Sequence, residues 1–192
     1  VGWIASLGSV SAWANVRWNL DWDAKPFATF KAVGQFQFWT RTFPTLGPQG
    51  INALGFRLDW EPLAFLSVGP YFRGLTSFSS GTTSTSVKTT LNEAGVMVGF
   101  YPFVVGSQTS QEIDVRMALF GGGLMTFYQV TFTQTLNTAS TFKSTFNTWV
   151  FPLEVHLELV LAKRVVLDFF GGYALFEQAQ GIYWGAGMGI LI

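Results

Sequence analysis

From Val16 to Asp23 the chain reads Val-Arg-Trp-Asn-Leu-Asp-Trp-Asp, with every even position apolar and every odd one polar or charged. A helix would scatter these residues around its circumference, whereas an extended strand sends alternate side chains to opposite faces and gathers the apolar ones on one side. The same period returns where Leu54, Phe56, Leu58 and Trp60 alternate with Gly55, Arg57, Asp59 and Glu61. It returns again where Leu153, Val155, Leu157, Leu159 and Leu161 enclose Glu154, His156 and Glu158. Ile113, Val115, Met117 and Leu119 enclose Asp114 and Arg116, and Leu167 and Phe169 flank Asp168. The pattern predicts an all-β, antiparallel fold.

Alternation alone fits a sandwich as well as a barrel, because a sandwich buries its apolar face and wets the other. The contents of the two faces separate them. The apolar face is large and continuous, the polar face carries opposite charges able to pair, and Trp and Tyr stand near several strand ends, as in the aromatic girdles of membrane barrels. Composition points the same way: 49% of residues are hydrophobic, 17% aromatic and only 11% charged, whereas soluble domains carry roughly a quarter charged residues. No apolar run reaches the roughly 18 residues of a membrane-spanning helix. Short alternating segments suit the other structure that satisfies its backbone in lipid, a closed barrel. The expected fold is therefore a transmembrane antiparallel up-and-down β-barrel, with residues 1–192 forming one domain.

Counting back from the C-terminus gives strands near 180–192, 165–177, 146–161, 112–133, 89–101, 64–75, 51–61 and 30–41. Adding the window at 13–23 and an up-strand at 2–9 makes ten, with both termini periplasmic; the alternative is eight strands with an N-terminal arm or plug. Residues 59–63 and 161–165 are expected to be tight periplasmic reversals. Thr76 to Thr90, in which eleven of fifteen residues are Ser or Thr, is expected to be a long outside loop, and a Thr-rich hairpin should turn near Asn137 to Ser140. Pro70 and Pro152 fall inside strands, where a missing N–H predicts a bulge or an interface position. The opening residues show no signal-peptide pattern, so the chain is read as mature or trimmed.

The closing segment from Tyr183 to Ile192 sets Trp184, Ala186, Met188, Ile190 and Ile192 in alternation. It resembles the C-terminal assembly signal of the small bacterial outer-membrane barrels of the OmpA, OmpX and OmpW type, with Ile192 where those proteins usually end in Phe. The resemblance covers most of the chain as pattern. It implies Gram-negative outer-membrane localisation, a surround of outer-membrane lipid and lipopolysaccharide, and passage through the barrel-assembly machinery.

Eleven basic and eleven acidic residues cancel, which sets nucleic-acid binding aside. The absence of cysteine excludes disulfides, thiolate metal sites and cysteine nucleophiles. An Arg or Lys facing lipid at the midplane would cost about 2–4 kcal/mol. The inner face is therefore expected to carry a polar network of Arg17, Asp21, Lys31, Arg57, Asp59, Glu61, Arg73, Glu93, Asp114, Arg116, Glu154, His156, Glu158 and Asp168.

His156, the single histidine, lies between Glu154 and Glu158 at a spacing that could fix an imidazole tautomer for general-base work. The His and Ser two residues apart of a barrel-type lipid A deacylase is absent, because Glu158 takes the second place. The acidic and His pairs of an omptin-like protease are mimicked by Asp21 with Asp23 and by Glu154 with His156, but not at an outer rim. Residues two apart on a strand stand roughly 7 Å from one another, so no metal site is expected, nor any cofactor. The expected function is a non-enzymatic barrel with a largely filled interior that stabilises the envelope or presents its outer loops, with residues 76–90 as the surface for an extracellular partner. A narrow porin-like channel for ions or small solutes is the alternative, and a lipid hydrolase or protease using His156 comes third.

Overall fold

A computed structural model describes residues 15–18, 30–43, 47–82, 85–106, 113–134, 140–175 and 181–192. These form β1 (Asn15–Trp18), β2 (Phe30–Phe43), β3 (Gly47–Leu63), β4 (Leu66–Thr82), β5 (Thr85–Gly106), β6 (Ile113–Gln134), β7 (Ser140–Leu161), β8 (Val165–Leu175) and β9 (Gly181–Leu191). Strands β2 to β9 pair in sequence, each antiparallel to the next, and β9 returns to β2 from Lys31↔Leu191 to Arg41↔Gly181. The result is a closed eight-stranded barrel. Its seam is tied at the end by Phe30 and Ile192, which exchange backbone bonds of 3.1 and 2.8 Å. Closure leaves the wall without an edge strand inside the bilayer, where an unpaired backbone group is costly.

The count of ten strands is thus corrected to eight, the strand number of the alternative. The described part of the 13–23 window is β1, which pairs with β5 through Asn15↔Gly106 to Trp18↔Phe103 and does not lie beside β2. The β3–β4 hairpin turns at Ala64 and Phe65, while β5 continues beyond Phe100 and pairs with β6 as far as Gly106↔Asp114. β1 occupies the edge of β5 that β4 leaves open. The proposed strand at 2–9 and the hairpin tip at 137–139 lie outside the described residues.

The two faces sort as the alternation requires. Along β7, Leu153, Val155 and Leu157 are exposed while Glu154, His156 and Glu158 are buried. Exposure of large apolar side chains recurs around the wall, with Leu54 at 61%, Leu153 at 59% and Met188 at 66%. A soluble protein rarely exposes a contiguous apolar surface of this extent. β8 and β9 have 11 residues each, which matches the roughly 9–11 needed to cross hydrocarbon when tilted.

The belt ends along a register row. Outward positions run Phe151 and Trp149 on β7, then Asn147, Thr145, Lys143 and Thr141; on β6, Phe127 gives way to Gln129, Thr131 and Thr133. Asn92, Phe127 and Asn147 are cross-strand neighbours, so the change from apolar to polar occurs at one height on three strands. Above that row β4 to β7 continue as a sheet beyond the lipid belt. The stretch from Thr76 to Thr90 is therefore mostly strand: β4 reaches Thr82, β5 starts at Thr85, and Ser79↔Lys88 and Ser80↔Val87 are paired. β-Branched Thr suits a strand wetted on its surface, and Ser- and Thr-rich composition did not mark a loop.

Two local expectations are also corrected. Residues 59–63 belong to β3, and the reversal follows them at Ala64–Phe65; the second turn is Ala162–Arg164. There Arg164 donates to Leu161 across 3.0 Å, with φ of 47° at Ala162 and 55° at Lys163, the positive pair of a type I′ hairpin turn. Neither proline makes a bulge, and neither stands at the polar row, since Pro70 opposes Val96, about four residues from Asn92, and Pro152 lies about five residues from Asn147. Pro70 stays in register opposite Val96, and the β6–β7 register is the same on both sides of Pro152. The register shifts fall instead at Trp60/Leu63, Leu75/Phe78 and Phe100/Phe103. Each proline drops a ladder bond without inserting a residue.

Pro152 is accommodated opposite the run Gly121-Gly122-Gly123. A Cβ on Gly122 would stand 2.1 Å from the Val96 carbonyl oxygen, whereas one on Gly121 would meet its nearest neighbour, Leu153 Cδ2, at 3.4 Å. Gly122→Ala should therefore destabilise the barrel by about 1–3 kcal/mol and Gly121→Ala by less than about 0.5 kcal/mol, measured by urea unfolding in detergent micelles. Equal effects would mean that β5 and β6 are not packed this closely.

Candidate functional site: an ion-paired lumen

The inward rows bring polar side chains from all eight barrel strands into one interior. Lys31, Arg57, Asp59, Glu61, Arg73, Glu93, Arg116, Glu154, His156, Glu158 and Asp168 are buried, and Asp114, at 9% exposure, stands at one end. Arg17 lies in β1 opposite Val104, and Asp21 lies outside the described residues. The outward row of β9 carries Trp184, Met188, Ile190 and, just past its end, Ile192, all exposed.

At one end of the network Arg73 is held between aromatic rings and carboxylates. Its guanidinium carbon lies 4.0 Å from the Trp39 ring centre, and Trp39 stacks on Tyr183 at 3.9 Å and 9°. Arg73 Nε donates to Glu93 Oε2 at 2.6 Å, Nη2 pairs with the same oxygen, and Nη1 donates to Gln37 Oε1 at 3.1 Å. Thr126 donates to the other oxygen of Glu93 at 3.3 Å. Gln37 also receives the Trp39 indole N–H at 3.0 Å and donates to the Tyr71 hydroxyl. A guanidinium that is both stacked and paired in its plane uses the geometry that suits Arg better than Lys.

The middle layer is built on His156. Its Nε2 lies 2.8 Å from Glu154 Oε2 and its Nδ1 lies 2.8 Å from Asp168 Oδ1. Phe170 stacks on the ring at 5.0 Å and 13°, and the Phe120 centroid lies 4.6 Å away. Tyr183 donates to Glu154 Oε1 at 2.5 Å, and Gln35 donates to Asp168 Oδ2 at 3.0 Å.

The third layer sets three cations, Lys31, Arg57 and Arg116, among three carboxylates, Asp59, Glu61 and Glu158, so closely that no pair is separate. Arg57 donates to Asp59 at 2.7 Å and to Glu158 at 3.0 Å while lying 4.0 Å over the Phe120 ring. Lys31 Nζ reaches Glu158 at 2.5 Å, Asp59 at 3.2 Å and Glu61 at 3.8 Å, and donates to the Tyr101 hydroxyl. Arg116 donates to Glu61 at 3.1 Å and lies 3.9 Å over the Tyr101 ring. Charges taken out of water this far hold only where partners and hydrogen bonds replace the lost solvation.

Glu154, His156 and Glu158 share one strand face but do not converge: His156 turns to Glu154 and across to β8, whereas Glu158 serves Lys31 and Arg57. Among the described residues no group of three or more His, Asp and Glu side chains is arranged to hold a metal ion. The charged residues left out a neutral part of the network, namely Gln35, Gln37, Trp39, Tyr71, Tyr101, Thr126 and Tyr183, all of which are buried. Strand parity would have found most of them, because Gln35, Gln37 and Trp39 continue the row of Lys31, and Tyr183 opposes the outward Trp184.

Arg57→Met should leave Asp59 and Glu158 short of a buried cation and cost about 3–5 kcal/mol. Asp114→Asn, at the rim, should cost less than about 1 kcal/mol. Unfolding in micelles measures both, and a neutral Arg57 variant would contradict the shared network.

No protein-family model matches the chain, and no curated protein matches it in sequence. Solved structures do match in shape. Neisserial surface protein A is similar over 86% of this chain and 98% of its own, with a TM-score of 0.60 at 9% identity. Ail, the attachment invasion locus protein of Yersinia pestis, is similar over 86% of this chain and 99% of its own, with a TM-score of 0.53 at 8% identity. In its complex with the heparin analogue sucrose octasulfate, Ail covers 85% of this chain and 98% of its own, with a TM-score of 0.55 at 10% identity. At such identities the likeness speaks for architecture, and the architecture of this chain is that of the small eight-stranded outer-membrane barrels.

Proposed function

We propose that the protein is a non-enzymatic integral barrel of the bacterial outer membrane whose polar interior is a plug, so that it acts by stabilising the envelope or by presenting the sheet that rises from its outer rim. The carrying observation is the lumen itself. Successive layers centred on Arg73, on His156 and on Lys31 with Arg57 fill the interior with paired, fully buried side chains. An eight-stranded barrel is only just wide enough for its own side chains, and these are large. A solute would have to break several buried ion pairs to pass.

The enzyme reading loses its support in the same geometry. A general base needs a free nitrogen beside a substrate, and both nitrogens of His156 face carboxylates inside the wall. The presentation reading is supported by the polar outer face of the projecting sheet, where Lys88 and Lys143 are both exposed and stand in one register row through Thr131. An extracellular partner would meet this sheet, which includes most of the 76–90 stretch and whose described end is the row of Thr82, Thr85, Gln134 and Ser140. Outer-membrane lipid and lipopolysaccharide would surround the belt below it, and the barrel-assembly machinery would insert the chain.

Planar-bilayer recording tests the plug against the channel. The purified protein should give no steady, discrete openings, while removal of one layer by the double substitution Arg73→Ala with Trp39→Ala should raise conductance if the variant still inserts. Discrete openings from the unaltered protein would overturn the plug in favour of a narrow ion channel.

A further inference from the structure

The charges described in the lumen do not balance. Asp59, Glu61, Glu93, Asp114, Glu154, Glu158 and Asp168 face Lys31, Arg57, Arg73 and Arg116, which is seven acids against four bases. Among the described side chains His156 is the remaining buried group able to add a positive charge, and its surroundings define its protonation.

An ionised carboxylate only accepts hydrogen bonds, and a neutral imidazole has one N–H and one acceptor nitrogen. Asp168 and Glu154 both approach ring nitrogens at 2.8 Å. With a single proton on the ring, one of these contacts would set two lone pairs against each other. A proton on a carboxyl group instead would have to be held against that group's other donors. Glu154 also receives Tyr183 and lies 3.9 Å from Arg73, and Asp168 also receives Gln35 and lies 3.6 Å from Arg57. Both sets favour the ionised acid.

We propose that His156 carries a proton on each ring nitrogen and adds a fifth to the four described cations of the lumen, a clasp joining Glu154 of β7 to Asp168 of β8. The neighbours on every side fit this role. From β3, Arg57 Nη1 lies 3.3 and 3.4 Å from the two ring nitrogens. In the plane of the ring, a position so nearly equidistant would collide with the carbon between the nitrogens, so Arg57 lies over the ring face. It leaves both in-plane N–H directions to the carboxylates, and its own charge is met by Asp59 and Glu158. Phe120 of β6 and Phe170 of β8 supply uncharged rings. Lys31 and Gln35 of β2 act through Glu158 and Asp168, and Tyr183 of β9 acts through Glu154. The clasp is independent of whether the lumen conducts.

The chain has one histidine, so a long-range proton–nitrogen spectrum of the histidine-labelled barrel in micelles needs no assignment. At about pH 8, where an exposed histidine is mostly neutral, both ring nitrogens should show protonated shifts. A protonated and an unprotonated nitrogen in the unaltered protein would overturn the proposal outright. Glu154→Gln and Asp168→Asn each remove one arm of the clasp, and a folded variant of either kind should show a neutral ring at the same pH. A ring that stays doubly protonated in both would show that the carboxylates do not hold the second proton, and would equally overturn it. If neither variant folds, the spectrum of the unaltered barrel decides alone.

Discussion

Hydrocarbon offers no hydrogen bonds, and that single fact dictates both surfaces of this molecule. Backbone groups must find partners within the wall, which requires the sheet to close, and side chains must divide by polarity between lipid and lumen. A period of two performs that division without further instruction. Leu153, Val155 and Leu157 go outward, and Glu154, His156 and Glu158 go inward, because they alternate on β7. Closure by β9 against β2 then converts eight half-polar ribbons into one interior.

That interior carries the converse burden. Side chains excluded from lipid are also nearly excluded from water, so charges must be neutralised by one another. The layers around Arg73, His156 and Lys31 solve this with shared partners: Glu158 serves Lys31 and Arg57, and Glu154 serves His156 and Tyr183. Aromatic rings complete the packing, with Trp39, Tyr101 and Phe120 each lying beneath a guanidinium. The same bonds that satisfy the charges join strands distant in sequence. In the proposed plug, function and stability of the wall would therefore rest on one set of contacts.

Much of the barrel was legible in local alternation. The windows around Arg57 and Asp59, Asp114 and Arg116, and Glu154 to Glu158 became strands with their charged rows buried. Partner choice was not legible, because alternation says that a strand has two faces and is silent about its neighbours. Val16 to Asp23 alternates as cleanly as any barrel strand, yet its described part, Val16 to Trp18, pairs with three residues of β5. The projecting ends of β4 and β5 were hidden for a different reason: above the lipid belt neither hydrocarbon nor a charged lumen imposes a contrast, and Ser79, Ser80 and Ser86 read as loop although they are paired strand. Within the site, the charged residues declared themselves by cost. Tyr101 is at home on either face and Gln37 carries no charge to announce it, so only their register assigned them inward.

The central claim is that the outer surface is made for hydrocarbon, and sedimentation of the refolded chain with and without detergent tests it most directly. The account predicts a folded, monodisperse, heat-modifiable species in micelles or lipid, and aggregation once the detergent is removed. A folded monomer sedimenting as one species in plain buffer would contradict it.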